Sequence, residues 1–331
     1  MKHNNVIRIG VIGLGVMGMR HAQVCHEMRG VELVGVADIK PDVVARASEQ
    51  FGVPGFADYK EMLEKIALDA VVVATSDQFH RAPCELAAAR GIYIFLEKPI
   101  AMNLADGQAI IDAARQHNVK LMVGHTLRYD PRYIAVQQAA ADGKFGDIIH
   151  LYARRNATVR SSRRLEGRAD AVMFQGVHDI DAFHWITGAK VTRVSAESVS
   201  KVLADLKIPD ATIATLRFSN GAIALMEQSW ALPIGVPALL DAQLEVVGSK
   251  GAAYIDFHQP SLALFTDGVW SQPDVILALP GAHYLKDEYE QFLAFVAGEA
   301  EPKVSGEDAL EALRVALAIV ESAKSGKPVD L

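Results

Sequence analysis

The stretch IGVIGLGVMGMRHA, residues 9–22, decides the fold of this chain. Gly13, Gly15 and Gly18 form a GxGxxG pattern that follows an apolar run and opens a segment of helical character. In such a unit the first glycine permits a tight turn, the second lets the backbone approach a pyrophosphate, and the third lets the helix pack on the strand. The pattern is weak by itself, because glycine-rich turns also serve purely structural purposes.

An acidic residue strengthens the interpretation as a dinucleotide site. Asp38 ends the second apolar run, about 20 residues after Gly18, where a carboxylate can accept hydrogen bonds from the adenosine ribose hydroxyls. It would repel a 2′-phosphate, so we expect NAD rather than NADP. Lys40 keeps NADP as an alternative cofactor, because its ammonium could pair with that phosphate. The structural alternative for Asp38 is a helix-entry residue ahead of Pro41.

The first part of the chain alternates short apolar runs with amphipathic segments, which predicts βαβ units around a parallel sheet. Runs rich in Val, Ile and Leu are typical of parallel strands buried on both faces. We expect strands at 6–12, 32–38, 69–75, 92–97 and 120–124. Asn103 is expected to cap the helix that starts at Leu104.

After Gly124 the pattern changes to an α+β one. Pro131 can open a helix that runs to about residue 141. Asn220-Gly221 and Asp267-Gly268 each separate two apolar runs, and both dipeptides favour two-residue hairpin turns. The predicted fold is therefore an N-terminal Rossmann domain, residues 1–125, and a C-terminal α+β domain, residues 126–331, with a large, mostly antiparallel sheet. Ser305 and Asp308 have the spacing of a capping box for a final helix.

Composition excludes several classes of protein. The 331 residues are 50% hydrophobic and 22% charged, which is ordinary globular usage and enough for two domains. The net charge of −7 argues against binding to nucleic acid or an anionic membrane. Two cysteines, Cys25 and Cys84, suggest structural thiols rather than a disulfide framework or a zinc site. Without a signal peptide or spanning segment, we expect a cytoplasmic protein.

Seven further segments carry a resemblance to a known family. They are TSDQFH at 75–80, LEKP at 96–99, GHTLRYDP at 124–131, GVHDIDAFHWITG at 176–188, GSKG at 248–251, SGEDAL at 305–310 and SGKPV at 325–329. With the glycine pattern, the chain resembles the glucose-fructose oxidoreductase/inositol dehydrogenase (Gfo/Idh/MocA) family along essentially its whole length. Ser76 departs from the family, which usually has proline there.

Lys98 is the main catalytic candidate. It follows a predicted parallel strand at its carboxyl end, where open α/β sheets place ligand-contacting residues. The resemblance implies that this lysine acts on the reacting hydroxyl or carbonyl group, and that the Lys98-Pro99 bond is cis. A partly desolvated ammonium loses its proton more readily than a free one. The structural alternative is a surface lysine paired with Glu97.

His178 is the second catalytic candidate. The family commonly has an aspartate four residues before this histidine, but here that position holds Phe174. Histidine titrates near neutral pH and suits acid/base work or substrate contact. With the aspartate missing, we expect Asp181, one helical turn on, to be a better neighbour than Asp179. A hydrogen-bonded histidine at a helix start is the structural alternative.

Two other histidines have open interpretations. His184 lies six residues after His178 and would face the other side of a helix, so we expect no metal site there. His80 matches the family's loop histidine and either lies near the nicotinamide or caps a helix.

Six arginines occur between residues 154 and 168, and the resemblance does not account for them. They are Arg154, Arg155, Arg160, Arg163, Arg164 and Arg168. A solvated loop or an oligomer contact is the default interpretation. A sharper hypothesis is that Arg163 and Arg164 bind an anionic group of the substrate, because a guanidinium matches a carboxylate or phosphate.

Together these observations predict an NAD-dependent dehydrogenase that transfers hydride between nicotinamide and a secondary alcohol or ketone of a sugar, sugar acid, nucleotide sugar or cyclitol. The expected cofactor contacts are Gly13, Gly15, Val16, Met17, Gly18, Asp38, Ile39, Thr75, Ser76, His80, Glu97 and Lys98. The expected substrate contacts are Lys98, Arg128, Arg163, Arg164 and His178. The resemblance also implies a homodimer or homotetramer. Alternatives are a non-carbohydrate substrate such as a dihydrodiol, and an NAD-binding sensor without turnover.

Overall fold

The chain forms two compact units. The computed structural model describes residues 6–236, 240–257, 262–271 and 283–331. The first unit combines Met1–Thr126 with Leu279–Leu310, and the second combines Leu127–Ala278 with Glu311–Leu331. We expected every residue after 125 to belong to the second domain, but residues 279–310 belong to the first compact unit. A functional division at residue 125 stays a prediction.

The helices and strands of the described residues follow in chain order. The helices are α1 (Val16–Glu27), α2 (Pro41–Phe51), α3 (Tyr59–Lys65), α4 (Arg81–Ala89), α5 (Leu104–Gln116), α6 (Pro131–Ala141), α7 (Val159–Leu165), α8 (Val177–Thr187), α9 (His283–Ala297) and α10 (Gly306–Ser325). The strands are β1 (Ile7–Ile12), β2 (Val31–Ala37), β3 (Gly55–Phe56), β4 (Ala70–Val73), β5 (Tyr93–Glu97), β6 (Leu121–Gly124), β7 (Ile148–Thr158), β8 (Val191–Val199), β9 (Ala211–Phe218), β10 (Ile223–Leu232), β11 (Leu240–Gly248), β12 (Ala252–Asp256), β13 (Leu262–Thr266), β14 (Val269–Ser271) and β15 (Val329–Asp330).

The sheet of the first unit is parallel and has the strand order β3-β2-β1-β4-β5-β6. This is the order of a doubly wound dinucleotide-binding fold, so the predicted Rossmann architecture is confirmed. All five predicted strands occur close to their predicted bounds. The edge strand β3 was missed, because two residues carry no readable periodicity.

The core of the first unit includes side chains from helix α9. Phe95 of β5 stacks on Tyr289, with ring centroids 5.3 Å apart, and meets Phe292 edge to face at 5.6 Å. Tyr289 and Phe292 are fully buried in the same apolar cluster as Ile9 and Val11 of β1. Burial of these two aromatic side chains explains why this late segment belongs to the N-terminal unit.

The second unit is built on a sheet of nine described strands, in the order β14-β13-β12-β11-β7-β10-β9-β8-β15. Only the central pair, β7 and β10, is parallel among the described strands, and the remaining pairs are antiparallel. The mostly antiparallel sheet is therefore confirmed. Strand β9 alternates buried and exposed residues, as expected when a sheet covers a core on one face.

The local signals that the sequence carries are confirmed. The Asn103 side chain accepts a hydrogen bond from the Asp106 N–H at 2.9 Å and caps α5. Ser305 and Asp308 form the reciprocal hydrogen bonds of a capping box ahead of α10. Asn220-Gly221 lies between the antiparallel strands β9 and β10.

Both cysteines are buried free thiols, and burial raises the pKa of Cys25 to about 12. In the parts of the chain that the structure describes, every helix is too short or too polar to cross a membrane.

Removing the Phe292 ring should destabilise the protein by about 3–5 kcal/mol, because the substitution Phe292→Ala leaves a cavity beside Phe95. Urea unfolding followed by circular dichroism measures this loss. Phe79→Ala is the matched control, since that ring is 59% exposed, and its effect should stay within about 0.5 kcal/mol. Equal losses in the two variants would contradict the placement of α9 in this core.

Candidate active site

Two of the three motif glycines are required by packing within the chain. A Cβ added at Gly18 would lie 1.7 Å from the carbonyl oxygen of Gly13, so only glycine fits there. Gly13 has a φ of +88°, and a Cβ there would lie 2.6 Å from the Ala74 backbone after β4. These two positions bring α1 against the sheet.

Gly15 is different, because packing within the chain does not require it to be glycine. Its φ of −66° is open to any residue. Apart from its chain neighbours, a Cβ added at Gly15 would meet no described atom within 4 Å. The exposed space beside Gly15 is therefore available to a ligand that approaches the backbone closely.

The start of α1 fits an anion. Among the described residues no side chain caps this helix, and its first turn contains no acidic residue. Val16 is 52% exposed and Met17 is half-buried, so the first turn of the helix is open to a ligand. Unsatisfied N–H groups and the helix dipole favour phosphate at such a terminus. These residues fit the pyrophosphate of a dinucleotide.

Asp38 lies at the end of β2 and faces the glycine turn. One carboxylate oxygen accepts the Leu14 N–H at 2.7 Å, and the other accepts the Lys40 N–H at 2.9 Å. Each oxygen has a second lone pair that a ribose hydroxyl could use. Ile39, which follows, is 83% exposed and offers an apolar surface for an aromatic base.

His80 is buried below the loop that follows β4, where Thr75 and Ser76 are half-buried. Its Nδ1 lies 3.0 Å from the Pro99 carbonyl oxygen and its Nε2 lies 3.3 Å from the Thr75 carbonyl oxygen. The histidine thus links this loop to the segment after β5. His80 occupies the N-cap position of α4, as the helix-capping interpretation expected, but its side chain makes no cap hydrogen bond to that helix. Burial lowers the pKa of His80.

Lys98 follows β5 and is half-buried. The Lys98-Pro99 peptide bond is cis, as the resemblance implied. The preceding Glu97 is buried, and its carboxylate accepts the Lys98 N–H at 3.1 Å and a His21 N–H at 2.8 Å. The side chain of Glu97 is thus bound by protein groups, and its expected contact with the cofactor stays a prediction.

In the second unit, His178 is the second residue of α8 and is half-buried. The helix follows a π-helical turn, Val172–Gly176, a feature that is frequent at functional sites. Phe174 lies in that turn and packs against Trp230, with ring centroids 5.7 Å apart. An apolar contact therefore occupies position 174, where the resemblance implied an aspartate.

The acidic neighbours of His178 are bound by arginines. Asp181 accepts hydrogen bonds from Arg128 at 2.6 and 2.9 Å, and both side chains are buried. Asp179 accepts from buried Arg155, as close as 2.7 Å, and from Gln228 at 2.7 Å. Asp181 is thus bound to Arg128, and the expectation that Asp181 also orients His178 stays a prediction. A substrate contact of Arg128 stays a prediction.

The arginine-rich stretch divides into paired and unpaired side chains. Arg163 on α7 forms an exposed salt bridge with Asp205 at 2.8 Å. Arg154 pairs with Asp241 at 2.8 Å. Among the described residues, Arg160 and Arg164 have no carboxylate partner, and both are exposed. Substrate binding by Arg163 and Arg164 stays a prediction, and Asp205 competes for the first of them.

The sequence analysis missed His21 and Tyr289, which lie behind Glu97. A signal for His21 was available: it occupies the buried face of α1 with Gly18, Ala22 and Cys25, at helical spacing. A polar side chain among apolar neighbours needs a polar partner. The partner could not be read from the sequence, since Glu97 and Tyr289 are 76 and 268 residues away.

Comparison with known proteins points in one direction. Residues 7–125 match the family model described as an oxidoreductase family with an NAD-binding Rossmann fold, and residues 133–254 match the GFO/IDH/MocA C-terminal domain. Myo-inositol 2-dehydrogenase of Thermotoga maritima is 28% identical over 98% of each chain. D-apiose dehydrogenase of Paraburkholderia graminis is 26% identical over 97% of this chain and 88% of its own. The crystal structure of myo-inositol 2-dehydrogenase from Lactobacillus plantarum has a TM-score of 0.85 at 26% identity, covering 98% of this chain and 99% of its own.

The substitution Gly15→Ala should separate folding from cofactor binding. We expect an unchanged melting temperature without cofactor, because Gly15 has an ordinary φ and open space around it. NADH affinity should fall about tenfold or more, equivalent to about 1.4 kcal/mol, because the methyl group fills the space that the pyrophosphate approaches. Fluorescence titration with NADH and a thermal melt measure the two effects. Gly18→Ala is the contrasting variant and should lose stability itself. Wild-type NADH affinity in Gly15→Ala would rule out this approach.

Proposed function

Since the chain belongs to the Gfo/Idh/MocA family of oxidoreductases, we propose that it is an NAD-dependent dehydrogenase that oxidises a secondary alcohol of a cyclitol or sugar, or reduces the matching ketone. The observation that carries the proposal is the position of Lys98 at the carboxyl end of β5, in the same sheet as the open glycine turn after β1. Similarity to inositol and apiose dehydrogenases along nearly the whole chain supports the substrate class.

The residues of the first unit divide the binding work. Gly15 and the start of α1 would hold the pyrophosphate, and Asp38 would accept hydrogen bonds from the ribose hydroxyls. Thr75, Ser76 and the segment after β5 lie at the carboxyl edge of the neighbouring strands, on the same edge of the sheet. Bound NAD supplies the hydride acceptor in oxidation and the hydride donor in reduction.

Lys98 carries the proton transfer in this mechanism. Its Nζ accepts the proton of the substrate hydroxyl as the hydride leaves the same carbon, and the C–O bond becomes a carbonyl. In the reverse direction the ammonium returns that proton to the carbonyl oxygen. A role of His178 in substrate contact or in shared acid/base work stays a prediction. We further expect a homodimer or homotetramer, as the family resemblance implies.

The first test follows NADH absorbance while the protein and NAD⁺ meet myo-inositol, scyllo-inositol, D-apiose, neutral hexoses, uronic acids and nucleotide sugars. We expect turnover of one class. Lys98→Met should lose about 10²-fold or more of that turnover and keep its NADH affinity. Lys60→Ala, at an exposed lysine of the same unit, is the matched control and should behave as wild type.

Two outcomes would count against the proposal. If wild type turns over no compound of the panel although fluorescence confirms NADH binding, a non-carbohydrate substrate or an NAD-binding protein without turnover would be favoured. Turnover that survives in Lys98→Met would move the proton transfer to another residue.

Asp38 should determine the preference for NAD over NADP. The variant Asp38→Asn removes the negative charge and keeps an oxygen that can accept one of the two loop N–H groups. NADPH affinity should rise because the repulsion of the 2′-phosphate is lost, and NADH affinity should fall because the ribose hydroxyls lose a charged hydrogen-bond acceptor. Titrations with both cofactors measure the ratio. Lys40→Ala is the companion variant, and a large loss of NADPH binding there would show that this lysine grips the phosphate.

A further inference from the structure

A chain of buried polar groups runs from Lys98 into the core of the first unit. The Lys98 N–H donates to Glu97 Oε2 at 3.1 Å, and Glu97 Oε1 lies 2.8 Å from His21 Nε2. His21 Nδ1 lies 3.0 Å from the Tyr289 hydroxyl. Glu97 is 6% exposed, and His21 and Tyr289 are fully buried. The chain therefore joins the end of β5 to helices α1 and α9.

The protons in this chain can be assigned from the groups themselves. Burial raises the pKa of Tyr289 well above its usual value, so its hydroxyl keeps its proton; that hydroxyl lies within hydrogen-bond distance of His21 Nδ1 and also interacts with the Cys25 thiol. The Nε2–H of His21 then donates to Glu97. Burial alone would raise the pKa of Glu97, but the His21 hydrogen bond and the charge of Lys98 hold it below its usual value. Glu97 is thus an anion that accepts from both sides.

We propose that His21 and Tyr289 are positioning residues for Lys98 and act through the Glu97 carboxylate; this inference rests on the proposed function. The two residues hold the carboxylate as an anion next to the lysine. The anion fixes the Lys98 backbone and favours the ammonium form of its side chain. Because His21 lies on α1, the same helix that offers its N-terminus to the pyrophosphate also fixes the segment that carries the lysine.

The chemistry of the core argues that this series of hydrogen-bonded side chains has a role beyond stability. A buried anion costs free energy of solvation, and apolar side chains of similar volume are often at least as stabilising. Pro99, next in sequence, is held separately by His80 through its carbonyl oxygen at 3.0 Å. The Glu-Lys-Pro segment is therefore bound on both sides of Lys98. Such binding is expected for a residue that must keep its geometry during proton transfer.

Glu288, on α9 beside Tyr289, provides a contrast within the same core. Its carboxyl oxygens are buried and have no hydrogen-bond partner among the described residues. Burial, together with the charges of Glu97 and Asp287, raises the pKa of Glu288 well above its usual value. A protonated Glu288 adds no second anion, so Glu97 remains the buried carboxylate that acts on Lys98. Two other titratable groups lie near this network: His80, whose pKa is lowered by burial, and Cys25, which interacts with Tyr289.

The test compares His21→Met, His21→Gln and Tyr289→Phe with wild type. Without the His21 donor, buried Glu97 tends to take up a proton, and loss of that anion lowers the pKa of Lys98. In the oxidation direction we expect His21→Met to move the acid limb of kcat/KM to lower pH by about one unit. The kcat should fall roughly 10- to 100-fold because Lys98 loses its fixed position, while NADH affinity stays close to wild type.

Two milder variants keep the test decisive if His21→Met does not fold. His21→Gln retains an N–H donor toward Glu97 and should recover part of both effects. Tyr289→Phe removes one hydroxyl and should give a smaller shift in the same direction. Glu288→Gln is the matched control, because an amide resembles the neutral acid, and its pH profile should match wild type.

A second readout separates this inference from the proposed function. Reductive methylation with ¹³C-formaldehyde gives lysine NMR signals whose titration reports the pKa of Lys98 directly, with Lys98→Arg to assign its signal. We expect a lower pKa in His21→Met and Tyr289→Phe whether or not a substrate is found. An unchanged Lys98 titration in both variants, with only a lower melting temperature, would show that the hydrogen bonds of His21 and Tyr289 are merely structural.

Discussion

The approach of two backbones at the β1–α1 turn is the constraint on which the rest of the first unit depends. A side chain at Gly18 would overlap the Gly13 carbonyl oxygen, so the absence of Cβ atoms lets α1 lie directly on the sheet. That placement leaves the start of the helix open for an anion and turns the same buried face of α1, which carries His21, toward the end of β5. Cofactor binding and the geometry of Lys98 thus follow from one close approach.

Buried polar groups in both units obey the same rule. An ionised side chain leaves water only when hydrogen bonds compensate it, and here each such group receives more than one. Glu97 accepts from His21 and from the Lys98 backbone, and Asp179 accepts from Arg155 and Gln228. Glu288 shows the other solution: its carboxyl has no hydrogen-bond partner among the described residues, and burial raises its pKa well above the usual value, which favours the neutral acid. Glu97 and Asp179 are next in sequence to the two candidate catalytic residues, Lys98 and His178, where a fixed geometry matters most.

Sequence patterns predicted the local features well because each depends on neighbouring residues. Apolar runs, the GxGxxG turn, Asn103 and the Ser305–Asp308 box all act within a few positions of the chain. The return of α9 to the first unit and the hydrogen bonds of His21 depend on residues far apart in sequence, which periodicity does not encode. Similarly, Asp181 has the right helical spacing to serve His178, but the spacing does not reveal that Arg128 binds it.

The replacement of the family's aspartate by Phe174 has a consequence for how the two catalytic candidates share their work. Phe174 packs on Trp230, and the first turns of α8 are tied down by the buried pairs of Asp179 with Arg155 and of Asp181 with Arg128. The helix that carries His178 is therefore fixed by the ion pairs of Asp179 and Asp181, which lie close to His178 in sequence. Phe174 supplies no carboxylate that could orient the imidazole or relay its proton, so under the proposed mechanism proton transfer falls mainly to Lys98. The positions of Glu97 and His21 behind that lysine fit this division of labour.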